Sequence, residues 1–295
     1  MPRSVAWIPA DGSGPIVLSD RAAGYRMLAG ATGLDAPEYD VTTGPVPGLD
    51  GAQLRSVRPA PRVVRWPMMI LGSTRGEYRR RARRLLNALD PAKGPGTLQV
   101  QEADGDTRLL RCVYTGGLEG DGSLTASGDG RWHRAVVSFL APNPWWSAGA
   151  PLVRVFPYRD GPAGTFLPIL PLRLSTARVL GETTLDNPGD VDAWPQWLIE
   201  PPALGVTLTR TDTGETIEIA GGIPAGDPLL IITEPGQQSI RLLSGENRWP
   251  NLLDGSTLWR IPGDTAAVPV ELLVAGAAAG TVITLTYYPQ YRTAL

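Results

Sequence analysis

Histidine, cysteine and lysine each occur once in 295 residues, as His133, Cys112 and Lys93. A zinc site of the His/Cys type needs three or four such ligands, so one chain holds none unless carboxylates dominate it. A Ser-His-Asp triad would have to use His133. That residue stands in Arg131–Ala141, where Ala135, Val137 and Phe139 alternate as on a half-buried strand, and it reads as structural. With one cysteine there is no intrachain disulfide, which fits an intracellular assembly site. The lysine lies in Lys93-Gly94-Pro95-Gly96, without the hydroxyl residue that follows the lysine of a phosphate loop, and Pro95 removes an amide that a phosphate would need. No GxGxxG follows a strand. This inventory excludes kinase, nucleotide hydrolase and dinucleotide-binding chemistry, and no cofactor is expected.

Long apolar runs are also missing. Met1 to Leu18 is broken by Pro9, Asp11, Gly12 and Gly14, where a signal peptide would need continuous apolar residues. The best membrane candidate, Leu272–Tyr288, is diluted by Gly276 and Gly280 and splits better into two strands around Ala275–Gly280. No membrane partner is expected. A net charge of −2 gives no overall attraction to nucleic acid.

Glycine (35) and proline (29) are plentiful and fall between short apolar runs, as turns do in a β-rich protein. Asp104-Gly105-Asp106 resembles part of a calcium loop, but the twelfth loop position falls on Thr115 instead of a glutamate. The hairpin reading is better: strands at Leu98–Ala103 and Thr107–Tyr114 around Asp104-Gly105, residues that tolerate positive φ. The acidic loop Asp186–Asp192 leaves a metal or paired-carboxylate site open.

Along the chain, short strands are predicted at Val5–Pro9, Ile16–Leu18, Tyr25–Leu28 and Arg62–Leu71, with a Pro/Gly-rich loop around Gly44–Gly51. One helix is predicted over Arg75–Leu89, with Tyr78, Ala82, Leu85, Leu86 and Leu89 on one stripe. Thr74 and Glu77 fit a capping box, and Pro91 stops the helix. Its other face carries Arg79, Arg80, Arg81, Arg83 and Arg84, with Arg79/Arg83 and Arg80/Arg84 as like-charged pairs at i,i+4. Such a concentration of one sign reads either as a solvated face or as a partner or subunit interface, of which Arg79, Arg80, Arg83 and Arg84 would be the contacts, their guanidinium groups meeting carboxylates.

From Ala177 onward no helical periodicity appears, and strand-like runs recur at the spacing of an antiparallel sandwich or barrel: Trp197–Glu200, Val206–Thr211, Thr216–Ala220, Leu229–Thr233, Ser239–Leu243, Thr257–Ile261, Val268–Val274 and Thr281–Tyr288. The expected architecture is mainly β with one helix. It comprises an α+β domain over 1–146, a Pro-rich apolar arm over 147–176 that packs on this chain or a neighbour, and a β-sandwich over 177–295.

Five stretches in this order resemble the siphophage distal tail (Dit) proteins, a family of phage tail-domain proteins. The first is Arg84-Leu85-Leu86 through Leu89-Asp90-Pro91 to Gly94-Pro95-Gly96-Thr97-Leu98. Ala141-Pro142-Asn143-Pro144-Trp145-Trp146 is similar to the segment that closes the family's first domain, and Asn187-Pro188-Gly189-Asp190 with Trp194-Pro195 to the entry of its second. Thr211–Ile217 resembles its hairpin and Tyr287-Tyr288-Pro289-Gln290-Tyr291 its ending. Each motif is weak alone; their collinear order carries the resemblance over nearly the whole chain. It implies a homohexameric ring at the tail end, a channel lined by the first domain, and a galectin-like sandwich outside. It further implies tail tube, tape measure and hub or receptor-binding proteins as partners, DNA passing transiently, and a place in the virion after assembly in the host cytoplasm. The galectin-like fold does not itself imply sugar binding. The alternative is a carbohydrate-binding module or glycan-directed accessory domain, with Trp145, Trp146, Trp194 and Trp197 as a stacking platform; a carboxylate enzyme is a third reading.

Overall fold

The computed structural model describes residues 4–48, 50–119, 130–158 and 177–294, the side chains of 177–182 excepted. The chain divides into two compact units, Met1–Gly149 with Tyr291–Leu295, and Ala150–Gln290.

The first unit contains β1 (Ser4–Ile8), β2 (Ile16–Val17), β3 (Tyr25–Met27), β4 (Tyr39–Gly44), β5 (Gln53–Pro59) and β6 (Arg62–Leu71). After these come helix α1 (Arg75–Ala88), β7 (Gly96–Gln101), β8 (Thr107–Gly116), β9 (Trp132–Ala141) and β10 (Trp146–Ala148). One antiparallel sheet runs β2-β1-β7-β8-β9-β6-β3. The long β8 turns this sheet: Thr107–Cys112 pairs with β7, and Val113–Gly116 pairs with β9. Both halves and the helix close on one core that includes Trp7, Trp66, Leu85, Leu89, Val100, Val137 and Phe139. Pro67 sits inside β6, between partners on β3 and β9, because β3 stops at Met27 and only the Leu28 amide reaches the Pro67 carbonyl.

The second unit contains β11 (Leu152–Pro157), β12 (Ala177–Asn187), β13 (Gln196–Glu200), β14 (Ala203–Arg210) and β15 (Glu215–Ile223). It continues with β16 (Leu229–Ile232), β17 (Ser239–Leu242), β18 (Thr265–Ala275) and β19 (Val282–Tyr287). Two antiparallel sheets, β11-β19-β13-β16-β17 and β12-β18-β14-β15, feed one core. Alternate residues such as Val268, Val270, Leu272 and Val274 on β18 are buried, as the period of a sandwich strand requires. The Trp197 and Trp259 rings meet edge to face at 5.5 Å in that core.

The structure corrects several sequence expectations. The arm predicted over Ser147–Ser175 begins as ordered strand: Trp146–Ala148 is β10, and Leu152–Pro157 adds an edge to the five-stranded sheet through β19. From residue 159 onward the arm lies outside the described residues. Prolines at 151 and 157 bracket that strand rather than interrupt it. The second unit ends at Gln290, and the last residues return to the first, where the Ala294 amide donates to the Leu34 carbonyl. Thr257–Ile261 forms no strand; it delivers Trp259 to the core and makes a single bridge, Ala193 to Ile261. The Pro/Gly loop around Gly44–Gly51 is only the tip of a hairpin, β4–β5, that the sequence reading missed.

Candidate interaction surfaces

Helix α1 starts where Thr74 Oγ1 accepts the Glu77 amide at 3.2 Å. Glu77 reaches back one residue further than the expected box, accepting the Ser73 amide at 2.7 Å together with the Ser73 hydroxyl. These bonds, and next the cations Arg81 and Arg80, hold its carboxyl below the usual range. The buried stripe also differs from expectation. Leu85, Ala88 and Leu89 are buried, whereas Leu86 is 47% exposed. At about 100° per residue Leu86 points one flank away from Leu85, and the sheet lies on the opposite flank, beneath Ala88 and Arg81.

Arg81 is thereby separated from its neighbours. It pairs with Glu77 at 2.7 Å, donates to the Leu71 carbonyl at 2.6 Å, and its own carbonyl accepts the Tyr25 hydroxyl at 3.0 Å. Arg79, Arg80, Arg83 and Arg84 are exposed and form no ion pair among the described residues. Burial raises the pKa of the Tyr25 phenol, partly offset by Arg84 and Arg81 nearby. Beside Arg84, Asp11, Ser13, Asn87 and Lys93 line an open cleft of about 370 Å³. Its lysine is already engaged, by Asp11 at 2.9 Å and the Asn87 carbonyl at 2.8 Å. The result is a basic, solvated helix face with no convergent catalytic group.

The other candidates resolve into structure. His133 is half-buried on β9 opposite Ile70. Cys112 is buried, and burial pushes its thiol pKa up to about 12, well away from a reactive thiolate. Asp104-Gly105 turns the β7–β8 hairpin, with Gly105 at φ 99°. Asn187, the second residue of the acidic loop, is fully buried, and its side-chain amide donates to the carbonyls of Val191, Ile261 and Pro262 at 3.0–3.1 Å. Its carbonyl oxygen accepts the Gly189 amide at 3.0 Å. The loop is thus stitched by an asparagine, and no group of three or more His, Cys, Asp or Glu among the described residues could hold a metal. Of the proposed sugar platform, Trp146 and Trp197 are fully buried and cannot stack on a ligand. A cavity bordered by Ile219, Ile223, Leu229 and Leu242 holds about 10 Å³, close to the limit for one water.

One organising residue was missed by sequence reasoning. Arg62 is only 3% exposed and forms no carboxylate ion pair among the described residues; it donates instead to four backbone carbonyls. These are Pro144 at 2.6 Å, Gly33 at 2.8 Å, Asp35 at 2.5 Å and Arg292 at 2.7 Å. Desolvation lowers its pKa, with Asp35 opposing. An arginine at the first position of an apolar strand is the available signal, since a buried guanidinium must find acceptors from several segments.

The sequence matches no family model and no curated protein. Solved structures do match along the whole chain. The SPP1 Dit (gp 19.1) protein, described as a paradigm of the hub adsorption apparatus in phages infecting Gram-positive hosts, aligns with TM-score 0.65 and 17% identity over 98% of this chain and 99% of its own. Chains of the phage P2 baseplate in its activated conformation, with Ca or with Sr, align with TM-score 0.56 and 12% identity over 98% of each. The chain therefore has the distal tail protein fold, as the ordered sequence motifs imply.

Proposed function

We propose that this chain is a structural protein of a phage tail tip, acting through assembly rather than catalysis. The supporting observation is correspondence with a Dit protein over both units and essentially the full length of both chains. In this reading six copies form a ring through the first unit. The ring joins the tail tube and tape measure above to the hub and receptor-binding proteins below, and DNA crosses it only in transit. The solvated arginine face of α1 (Arg79, Arg80, Arg83, Arg84) is the contact for an acidic surface on a neighbouring tail protein. Four guanidinium groups without an ion pair among the described residues suit carboxylate forks better than any small ligand.

Antibody raised against the protein and applied to virions of the phage that encodes it provides the test. Label at the distal end of the tail is the expected result. Label confined to the capsid, or absence of the protein from purified virions, would overturn the proposal.

A further inference from the structure

The hairpin β4–β5 is amphipathic, and the described residues of its own chain leave its apolar face exposed. Its register pairs Tyr39 with Pro59, Val41 with Val57 and Thr43 with Leu54 on one face, and Asp40 with Arg58, Thr42 with Ser56 and Gly44 with Gln53 on the other. One face is therefore almost wholly apolar and the other polar. A bulge maintains this separation: Ser56 pairs with Thr42 and Leu54 with Thr43, so Arg55 is the extra residue. Without it Leu54 would turn to the polar side. The Arg55 side chain lies over Gly44, within 2.2 Å of where a Cβ would stand there. Yet Tyr39, Val41, Leu54 and Val57 are 46–58% exposed. The two strands form a separate sheet.

An isolated two-stranded ribbon is marginal in water, and this one is firmly rooted. Leu34 is buried in the core, Arg62 grips the Gly33 and Asp35 carbonyls, and the Ala60 amide donates to the Glu38 carbonyl. A rooted ribbon with a bare apolar face fits a partner. The same unit carries a second bare apolar surface, the outer face of β6, β9 and β8. There Val63, Leu140 and Val113 form a row across three strands, with Val136 opposite Pro67, and Val63 and Val136 are each 47% exposed. The net charges also favour association: residues 35–59 carry Asp35, Glu38, Asp40 and Asp50 against Arg55 and Arg58, with Asp40 on the ribbon's polar face, while the outer sheet face carries Arg65, Arg111 and Arg134 and, among the described residues, no carboxylate.

We infer that the occupant is a second copy of this chain: the apolar face of one copy's ribbon docks on the outer face of β6 and β9 of the next. Two different surfaces meet, so the contact is head to tail, and it propagates around a ring when the rotation closes. The inference deepens the ring proposed above and rests on it for closure, but the pairwise contact stands independently of any role in a tail.

The experiment compares the full-length wild type with Val41→Asp/Val57→Asp by light scattering coupled to size exclusion. In parallel, Val57→Cys/Val136→Cys is oxidised under non-denaturing conditions; Cys112 is buried and gives little background. Expected are an assembled wild type, an aspartate variant with its assembly reduced to monomer, and an intermolecular disulfide ladder from the cysteine pair. An assembled aspartate variant without a ladder overturns the ribbon contact and leaves the ring reading standing. A wild type that stays monomeric and yields no ladder overturns the contact and the ring together. Should the aspartate variant misfold, the ladder alone decides: presence supports the contact and absence overturns it.

Discussion

Helix α1 and the ribbon β4–β5 belong to the same unit and are both amphipathic, yet they are completed differently. The helix buries Leu85, Ala88 and Leu89 in its own core and shows arginine to solvent. The ribbon has an equally clean apolar face, and no described residue of its own chain covers it. The helix is thus an element of the fold, whereas the contact proposed above makes the ribbon an element of the assembly. Substitutions in the helix stripe should act on folding and substitutions in the ribbon on association.

The largest expected effect sharpens that contrast. Leu85→Ala removes a fully buried side chain and should cost the first unit about 2–5 kcal/mol, measured by urea unfolding. Val57→Ala, on the ribbon, should change monomer stability by less than about 0.5 kcal/mol. An equal loss in both would break the comparison. Next comes the second unit. Asn187→Ala strands the carbonyls of Val191, Ile261 and Pro262 and should cost about 1–3 kcal/mol in the transition of that unit.

A smaller effect on stability is expected from Arg80→Glu/Arg84→Glu. These side chains are exposed, so the melting free energy should move by no more than about 0.5 kcal/mol, while incorporation into tails is lost. Normal incorporation at low and moderate salt would remove the helix face from the list of contacts. The smallest effect is with pH. Hydrogen bonding to Arg210 and its positive charge hold the Asp212 carboxyl below its ordinary value of 3.8. A depressed folded-state pKa means this contribution is present above about pH 4 and is lost as pH falls through the folded value. Because Asp212 is largely exposed, screening keeps the contribution small. Asp212→Asn should flatten the acid limb of the second unit's stability curve slightly, a difference readable by thermal melts between pH 2 and 5.

Much of the fold was legible in the sequence where the pattern was local. The β7–β8 hairpin announces itself through Asp104-Gly105, the helix through its stripe and its Thr74 cap, and β18–β19 through the glycines between them. The ribbon escaped because a bulge breaks its alternation and its strands are too polar on one face to read as a core. Leu86 was misplaced because periodicity gives the width of a stripe but not which flank the sheet covers. The arginine surface was visible in the sequence as an accumulation of like charge. Arg62 was not, because its four acceptors come from segments far apart in the chain.

The central claim is that this chain works by closing on copies of itself, and images of the purified full-length protein test it most directly. Negative-stain class averages should show a ring with a central opening, built from six copies, at concentrations where light scattering reports a single assembled species. Monomers alone, or open filaments that never close, would contradict it.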